Sequence, residues 1–440
     1  DRAMNQMSRP LNVPEPEEEG EARPARRRGG RARAGLIAAL DVGTTKIACL
    51  IGRLESDQSL RVLSAGLHRA RGVRQGTIVD LDAAETAIRH AVAQAEELAD
   101  TQVASIVASL SCGQPASRQL NIQMQLGNEA ISDSDLRRVL AAGRERAFAE
   151  GRDVIHAVPM GYAVDGTQGI ADPRGMFGQM FSARVHVVDA GTSSLRTFGA
   201  CLARCDLEIE AMVAAPYAAG LATLVDDERE LGATVIDMGG GTTQIAIFAE
   251  GVLQHVDHVP VGGIHVTNDI ARGLSTTVAH AERMKTLYGS VRAAPSDDRD
   301  VLPVPMVGED DQQIARMPRS VLVGIIRPRL EETFELVRNR LEASGLKHIA
   351  GRRVVLTGGA SGLIGVRELA AEMLEKQVRL GRPLAIRGQA ESTSGAAFAA
   401  ASGLLVWAAT DGARLRDLAP DSDAPPGLFR RAVQWLRRMA

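Results

Sequence analysis

The sequence predicts an α/β protein with two similar lobes that share one cleft. Residues 235–248 hold two short, apolar, β-branched runs on either side of a turn with three glycines and two threonines, which is typical of a β-hairpin. Residues 40–48 also follow an apolar strand, and they repeat the Asp, Gly, Thr-Thr and Ile-Ala positions of that motif. A motif repeated across half of a 440-residue chain indicates two related lobes, because this length suffices for two or more domains.

Both hairpins have the residue types that hold a phosphate and a magnesium ion. Asp41 and Asp237 each end a first strand, where a carboxylate can hold Mg²⁺ through its water molecules. The glycines leave backbone N–H groups open to phosphate, and the threonines add hydroxyl donors. The predicted nucleotide-binding residues are Asp41, Gly43, Thr44, Thr45 and Lys46 in the first hairpin, and Asp237, Gly239, Gly240, Gly241, Thr242 and Thr243 in the second. An ordinary glycine turn would explain either copy alone, but the repeat favours a ligand site. The strand after the glycines excludes a Walker loop and a dinucleotide fingerprint.

Composition excludes several other classes of protein. A net charge of −3 and an aromatic content of 3% argue against nucleic acid as a partner. The four cysteines form no Cys-x-x-Cys pair, so we expect reduced thiols rather than disulfides or a zinc site. No apolar run is long enough to span a bilayer, and no signal peptide is visible.

The first half of the chain divides into a tail, a lobe core and an insertion. Residues 1–34 mix acidic and basic runs with Pro and Gly, which predicts a disordered tail. In the first lobe, Asp82 is predicted to cap a helix over residues 83–98. Residues 104–183 carry none of the phosphate chemistry and are predicted to form a small α+β insertion. Residues 185–194 mimic the hairpin, but a strand followed by a helix, capped by Ser193 or Ser194, is preferred.

The second half adds residues suited to a nucleoside. Glu282 and Lys285 are three residues apart on a predicted helix and share a face, where they could bind ribose, although a solvated ion pair is the simpler explanation. Gly358, Gly359 and Ala360 follow a buried strand and would let a base or ribose approach the backbone. Three further helices are expected. The first is capped by Thr267 and ends at residue 274, and the others cover residues 320–343 and 394–407. Residues 291–313 are expected to form a loop.

The C-terminal segment predicts membrane binding. Residues 411–426 include a linker rich in Pro and Asp, and residues 427–440 form an amphipathic helical pattern. Uncharged residues share one face and arginines the other, as in helices that lie in a membrane interface. The predicted membrane-binding residues are Leu428, Phe429, Arg430, Arg431, Val433, Trp435, Leu436, Arg437, Arg438 and Met439. A helix docked on the protein's own surface is the alternative.

The order of these motifs resembles the actin-like ATPase superfamily and, within it, the FtsA family of bacterial cell-division proteins. Four further motifs are similar to that family's pattern, at residues 72–76, 172–176, 226–232 and 259–263. The resemblance covers residues 35–440. It implies a two-lobed actin-like, ribonuclease-H-like ATPase fold with an FtsA-type insertion over 104–183. The first lobe core would then comprise 35–103 and 184–225, and the second 226–266 and 331–410.

The resemblance also implies function. It implies ATP and Mg²⁺ as ligands, assembly with copies of the same chain, and tethering of FtsZ filaments through the FtsZ C-terminal tail. It implies recruitment of later division proteins of the membrane, and a peripheral location on the cytoplasmic side of the inner membrane at the division site. Residues 267–330 would bind FtsZ, with Arg316, Arg319 and Arg329 as candidate contacts, although each could equally lie on an ordinary solvated face.

Two other classes share the motif order, namely small-molecule kinases and chaperone-type ATPases. A kinase needs a carboxylate base and an acceptor pocket, and no candidate pair is found. Chaperone-type relatives place an acidic or amide residue where this chain has Ala215, before the Pro-Tyr-Ala-Ala stretch. A methyl group cannot orient water, so we expect ATP binding with slow or negligible hydrolysis.

Overall fold

The computed structural model describes residues 35–127, 129–308, 314–410 and 412. The predicted N-terminal tail, all of the linker except residue 412, and the predicted amphipathic helix lie outside these residues. None of the described helices is both long and apolar enough to cross a membrane.

The described chain alternates strands and helices, as the sequence predicts. The strands are β1 (Leu36–Val42), β2 (Lys46–Leu54), β3 (Leu60–Arg69), β4 (Val73–Arg74), β5 (Thr77–Ile78), β6 (Ser105–Leu110), β7 (Ala116–Gln125), β8 (Arg152–Val164), β9 (Thr167–Ile170), β10 (Met180–Gly191), β11 (Glu208–Ala214), β12 (Ala233–Met238), β13 (Thr243–Ala249), β14 (Val252–Val259), β15 (Val301–Pro305), β16 (Ile314–Pro318), β17 (Arg353–Thr357) and β18 (Gln377–Leu380). The helices are α1 (Leu81–Ala99), α2 (Asp133–Arg146), α3 (Thr192–Arg204), α4 (Ala215–Thr223), α5 (Asp226–Leu231), α6 (Gly263–Gly273), α7 (Val278–Tyr288), α8 (Arg319–Ala343), α9 (Val366–Leu374) and α10 (Ala399–Ala409).

The two lobes contain five-stranded sheets of the same design. The first sheet has the order β3-β2-β1-β6-β11 and the second the order β14-β13-β12-β17-β18. In each sheet the first three strands are antiparallel neighbours and the last two continue in parallel. The predicted repeat of one lobe design is therefore confirmed at the level of strand order.

The two central helices, α4 and α10, pack together where the lobes meet. A Cβ atom added to Gly403 would lie only 1.7 Å from the carbonyl oxygen of Ala218, so the helices approach each other at backbone distance. The two helices contribute to one apolar cluster that also includes Leu50 of the first sheet and Val235 of the second. Their small residues therefore allow the two lobes to share a core.

The insertion is a separate layer with its own core. Its sheet has the order β7-β10-β8-β9, and α2 packs over it with apolar residues such as Leu136 against Phe181 in one cluster. Because β6 pairs with β1 and β11, the inserted unit begins after Leu110, later than the predicted residue 104.

The insertion also contacts the second lobe. The Ser117 hydroxyl accepts a hydrogen bond from the Val256 N–H at 2.7 Å, and the Gln119 amide donates to the Gln254 carbonyl at 2.9 Å. Arg184 pairs with Glu250 at 2.8 Å.

Two buried histidines lie in the insertion, on β8 and β10. His156 and His186 are 6% and 0% exposed, and neither of their ring nitrogens has a hydrogen-bond partner among the described residues. The His156 ring lies 5.7 Å from the ring of Tyr217 on α4. Burial, together with the charge of Arg144, lowers the pKa of His156 to about 3, and burial holds the pKa of His186 well below 6.5.

Several predicted helix boundaries were wrong. Asp80 caps α1 by accepting from the Ala83 N–H at 3.1 Å, whereas Asp82 lies inside the first turn. The helix predicted to start at Thr267 starts at Gly263, because the Gly262 N–H is satisfied by the His265 ring nitrogen at 3.1 Å.

The remaining differences concern the second lobe and the segment after the insertion. A strand followed by a helix is confirmed for β10 and α3, but Gly191, not Ser193 or Ser194, is the cap. Part of the predicted loop over 291–313 is strand β15, which pairs with β16. The small-residue helix α10 starts at Ala399, after two short 3₁₀ turns, rather than at 394.

Candidate functional site

The two predicted phosphate hairpins face each other across the cleft. In the first, the Gly43 N–H donates to the Lys46 carbonyl at 2.9 Å, and in the second the Gly239 N–H donates to the Thr242 carbonyl at 2.9 Å. The hairpins are nearly in contact, because a Cβ on Gly240 would lie 2.5 Å from Thr45 Cγ2. A glycine at this position therefore permits the lobes to close.

One cavity of about 150 Å³ lies between the hairpins. It is lined by both aspartates, by Lys46, by Ala215 and by the glycine loops of both lobes. Of the predicted residues it contains Asp41, Gly43, Thr44, Thr45, Lys46, Asp237, Gly239, Gly240, Gly241, Thr242, Gly358 and Gly359. The structure thus brings together residues that are almost two hundred positions apart in sequence.

Thr243 does not belong to this set. It is fully buried, and its hydroxyl donates to the Val261 carbonyl at 2.8 Å. The prediction that Thr243 offers a hydroxyl to a ligand was wrong, because side chains alternate along β13 and this one points away from the cavity.

The electrostatics of the cavity are dominated by its two aspartates. Asp41 accepts a hydrogen bond from the Ser109 hydroxyl at 2.6 Å. Desolvation, and then the nearby charge of Asp41, raise the pKa of Asp237 to about 7, while Lys46 opposes this shift. A carboxylate pair in which the charge of Asp41 disfavours ionisation of Asp237 suits a divalent cation, which would neutralise negative charge on both.

The Lys46 side chain connects the first hairpin to the residues just before α10. Burial lowers its pKa, against the attraction of Asp41 and Asp237. Its ammonium group donates to the Ala397 carbonyl and lies 3.7 Å from the centre of the Phe398 ring. A cation held in this way between the first lobe and the start of α10 suits a polyanionic ligand.

A second cavity of about 320 Å³ adjoins the first, and Thr45, Gly240 and Gly359 line both. The predicted pair Glu282 and Lys285, together with Ala360, lines the second cavity. The Glu282 carboxylate lies 2.7 Å from the Lys285 ammonium group. The wall of the second cavity also includes Leu363 and Ile364, so it combines apolar surface with the ion pair, as a nucleoside site would.

Sequence patterns missed two functional residues, one behind the ion pair of the second cavity and one in the wall of the phosphate cavity. Thr267 is fully buried in α6, and its hydroxyl bonds to Glu282 and lies 2.8 Å from Lys285 Nζ, so it orients the pair. Gln244 lines the phosphate cavity, as Ala215 does. Its only sequence signal is an amide directly before the apolar run of β13.

The three candidate FtsZ-contacting arginines differ in their surroundings. Arg329 is held by Asp269 at 2.6 and 3.1 Å, and Arg319 donates to the Tyr288 carbonyl at 3.1 Å. Arg316 on β16 is exposed. Of the three, only Arg316 is exposed.

Known proteins resemble this chain over most of its length. The family model "Cell division protein FtsA" matches residues 234–403, and the model "SHS2 domain inserted in FTSA" matches residues 112–189. A cell division protein FtsA from Agrobacterium fabrum is 44% identical over 85% of this chain and 87% of its own. The Escherichia coli K12 protein of the same name is 32% identical over 84% and 89%.

Solved structures support the fold. A PilM-PilN type IV pilus biogenesis complex matches with a TM-score of 0.59 at 18% identity, over 87% of this chain and 99% of the other. MreB5 of Spiroplasma citri bound to ADP matches with a TM-score of 0.54 at 11% identity, over 87% and 99%. The predicted two-lobed actin-like fold with its insertion is confirmed, and the chain belongs to the FtsA family of cell-division proteins.

Proposed function

We propose that this chain is an ATP-binding, self-associating adaptor that tethers FtsZ filaments to the inner face of the cytoplasmic membrane. In this role it would also recruit later division proteins to the septum. The observation that carries the proposal is the pair of apposed hairpins, which place Asp41 and Asp237 in one cavity beside a second cavity of nucleoside size.

ATP fits the two cavities as follows. The glycine loops and Lys46 would hold the phosphates, and Asp41 and Asp237 would hold Mg²⁺ through its water molecules. Glu282 and Lys285 would face the ribose, and Gly359 with Ala360 would face the base. Bound magnesium would neutralise phosphate charge. Because residues of both lobes would contact the same ATP molecule, the ligand would hold the lobes together. Closure of the cleft on ATP would then set the lobe arrangement in which copies of the chain assemble.

Membrane attachment is assigned to residues 427–440. The support is the sequence pattern alone, in which uncharged residues and four arginines occupy opposite faces. FtsZ binding is assigned to residues 267–330, and the exposure of Arg316 makes it the first of the candidate arginines to test.

The test combines vesicles and FtsZ. The full chain should sediment with vesicles that contain anionic lipid and should carry FtsZ with it, more so with ATP and Mg²⁺. A chain with Trp435→Glu and Leu436→Glu should stay in the supernatant but still bind FtsZ, whereas the Gln434→Ala control should sediment normally. Equal sedimentation of the Glu variant would refute the tether.

A second assay isolates the FtsZ contact. Arg316→Ala should weaken binding of an FtsZ C-terminal peptide about tenfold, as truncation of a central interface arginine does. Arg196→Ala changes an exposed arginine on α3 and serves as the control. If both variants bind the peptide equally well, Arg316 is not part of the contact.

A further inference from the structure

Two arginine-rich segments without acidic residues flank the described lobes. Residues 23–33 carry six arginines, and the proposed membrane helix over residues 427–440 carries four. Without these ten arginines the chain has 41 basic and 54 acidic residues, which is a net charge of −13. An anionic surface would therefore attract these two segments and, on net charge, repel the rest of the chain.

The first segment joins the first lobe at the end that lies away from the cleft. The Gly35 carbonyl accepts a hydrogen bond from the Leu54 N–H at 3.0 Å, at one end of the β1–β2 pair. Asp41 and Lys46, at the other end of this pair, line the phosphate cavity. Arg33 comes two residues before Gly35, so at most about 7 Å of chain separates the arginine segment from this end of the lobe.

Helix α10 runs from the cleft to the same end of the first lobe. Ala400, near its start, lines the phosphate cavity. Leu405, further along, contacts Gly52, because a Cβ added to that glycine would lie 3.3 Å from the leucine Cδ2 atom. Gly52 is the cross-strand neighbour of Ile37, near the start of β1. The described chain therefore ends, at Gly412, on the side of the lobe where it begins.

This geometry brings both arginine-rich segments to one side of the molecule. Residues 413–426, which separate Gly412 from the proposed membrane helix, span at most about 50 Å when fully extended. A membrane that holds residues 427–440 thus lies within reach of residues 23–33. We propose that residues 23–33 form a second membrane contact, in which the arginines bind the anionic headgroups of lipids. This assignment rests on the membrane attachment proposed above.

The chemistry of arginine suits this role. A guanidinium group donates two parallel hydrogen bonds to one phosphate group, and it stays charged at any physiological pH. Each arginine near an anionic leaflet strengthens binding about fivefold, and a chain already held by its helix meets the headgroups at a high effective concentration. The competing partners are acidic side chains of the same chain, namely the five glutamates of residues 15–21 and carboxylates of the first lobe such as Glu55.

The experiment uses the full chain on vesicles of phosphatidylcholine, with and without phosphatidylglycerol. The tail variant carries four substitutions in the arginine segment, Arg26→Gln, Arg27→Gln, Arg28→Gln and Arg31→Gln. A charge-matched control carries the same change at four exposed arginines of the lobes, Arg196→Gln, Arg272→Gln, Arg283→Gln and Arg299→Gln.

The tail variant should bind vesicles that contain phosphatidylglycerol at least about tenfold more weakly than wild type, because four cations are lost from the headgroup contact. The charge-matched control should stay within about twofold of wild type, since salt screens charges that lie farther from the membrane. On phosphatidylcholine alone the tail variant should equal wild type, and added salt should reduce the difference on anionic vesicles.

A second measurement locates the segment without using affinity. All four cysteines of the chain are buried, so an added exposed cysteine can be labelled selectively. A fluorophore on Ala32→Cys should be quenched by a quencher on the lipid headgroups, and quenched less in the tail variant when all protein is vesicle-bound. The same label on Ser296→Cys, an exposed site of the second lobe, should be quenched equally in both backgrounds.

Several outcomes would overturn the proposal. One is equal affinity of the tail variant and wild type for anionic vesicles, and another is an equal loss in the charge-matched control. A loss that persists on phosphatidylcholine alone would mean that headgroup charge is not its cause. Tighter binding of wild type to a DNA duplex than to vesicles, lost in the tail variant, would make nucleic acid the partner instead. The proposed membrane helix fails separately, if the chain with Trp435→Glu and Leu436→Glu sediments as wild type does.

Discussion

Mild acid should destabilise this protein through the buried His156. The folded chain holds this imidazole neutral, with a pKa lowered to about 3 by burial and then by the charge of Arg144. In the unfolded chain the same group titrates near its ordinary value of about 6.5. Below that value the unfolded state binds a proton at this imidazole and the folded state does not. The contribution of His156 to the free energy of unfolding is therefore fully present above pH 6.5 and is lost progressively as the pH falls toward 3.

The magnitude follows from these two pKa values. Between pH 7.5 and pH 5.5 the proton population of the unfolded imidazole rises from about one in ten to about nine in ten, whereas the folded one stays neutral. The linkage relation then gives a loss on the order of 1 kcal/mol in the free energy of unfolding for His156. His186, whose pKa burial also lowers, adds a loss of the same sign.

The assay is urea unfolding followed by far-UV circular dichroism at both pH values. Between pH 7.5 and pH 5.5, the free energy of unfolding of His156→Leu should fall by about 1 kcal/mol less than that of wild type, whatever the stability of the variant at pH 7.5. His348→Leu, at an exposed site, should keep the wild-type difference. Equal losses in wild type and His156→Leu would refute the reasoning.

Three further changes test other parts of the structure. Gly358 has a φ of +84° and a Cβ there would lie 2.3 Å from Asp237 Oδ1, so Gly358→Ala should weaken Mg–ATP binding about tenfold or more. Gly324→Ala, on α8 and with nothing near its Cβ, should leave that binding unchanged. In calorimetry, Asp237→Asn should reduce the gain in ATP affinity that Mg²⁺ provides and leave affinity in EDTA nearly unchanged; an unchanged Mg²⁺ effect would exclude this carboxylate. Gly403→Ala should cost about 1–3 kcal/mol in urea unfolding by separating α10 from α4, and Gly395→Ala, with nothing near its Cβ, should match wild type.

The repeated hairpin carried most of what the sequence could predict. Two copies of Asp, Gly and Thr-Thr predicted two lobes and one shared cavity, and strand order confirms the repeat. Local patterns sufficed because each copy lies within one turn and its two strands, where the spacing of residues fixes their faces.

Strand pairing, helix starts and cavity lining depend on contacts with residues elsewhere in the chain, which the sequence of one segment does not show. β6 pairs with strands from two different regions, so its place in the first sheet could not be inferred from residues 105–110 alone. Thr267 fits the pattern of a cap but lies inside α6, because His265 satisfies the helix start. Gln244 lines one cavity with Asp41 and Ala215, which lie far from it in sequence.

The contacts between the insertion and the second lobe couple opening of the cleft to the position of the insertion. The insertion is covalently part of the first lobe, yet Ser117, Gln119 and Arg184 bond to residues on β14 or at its start. Any rotation that opens the cleft must therefore break these bonds or carry the insertion along with the second lobe. A ligand that closes the cleft would therefore change either these contacts or the position of the insertion relative to the first lobe.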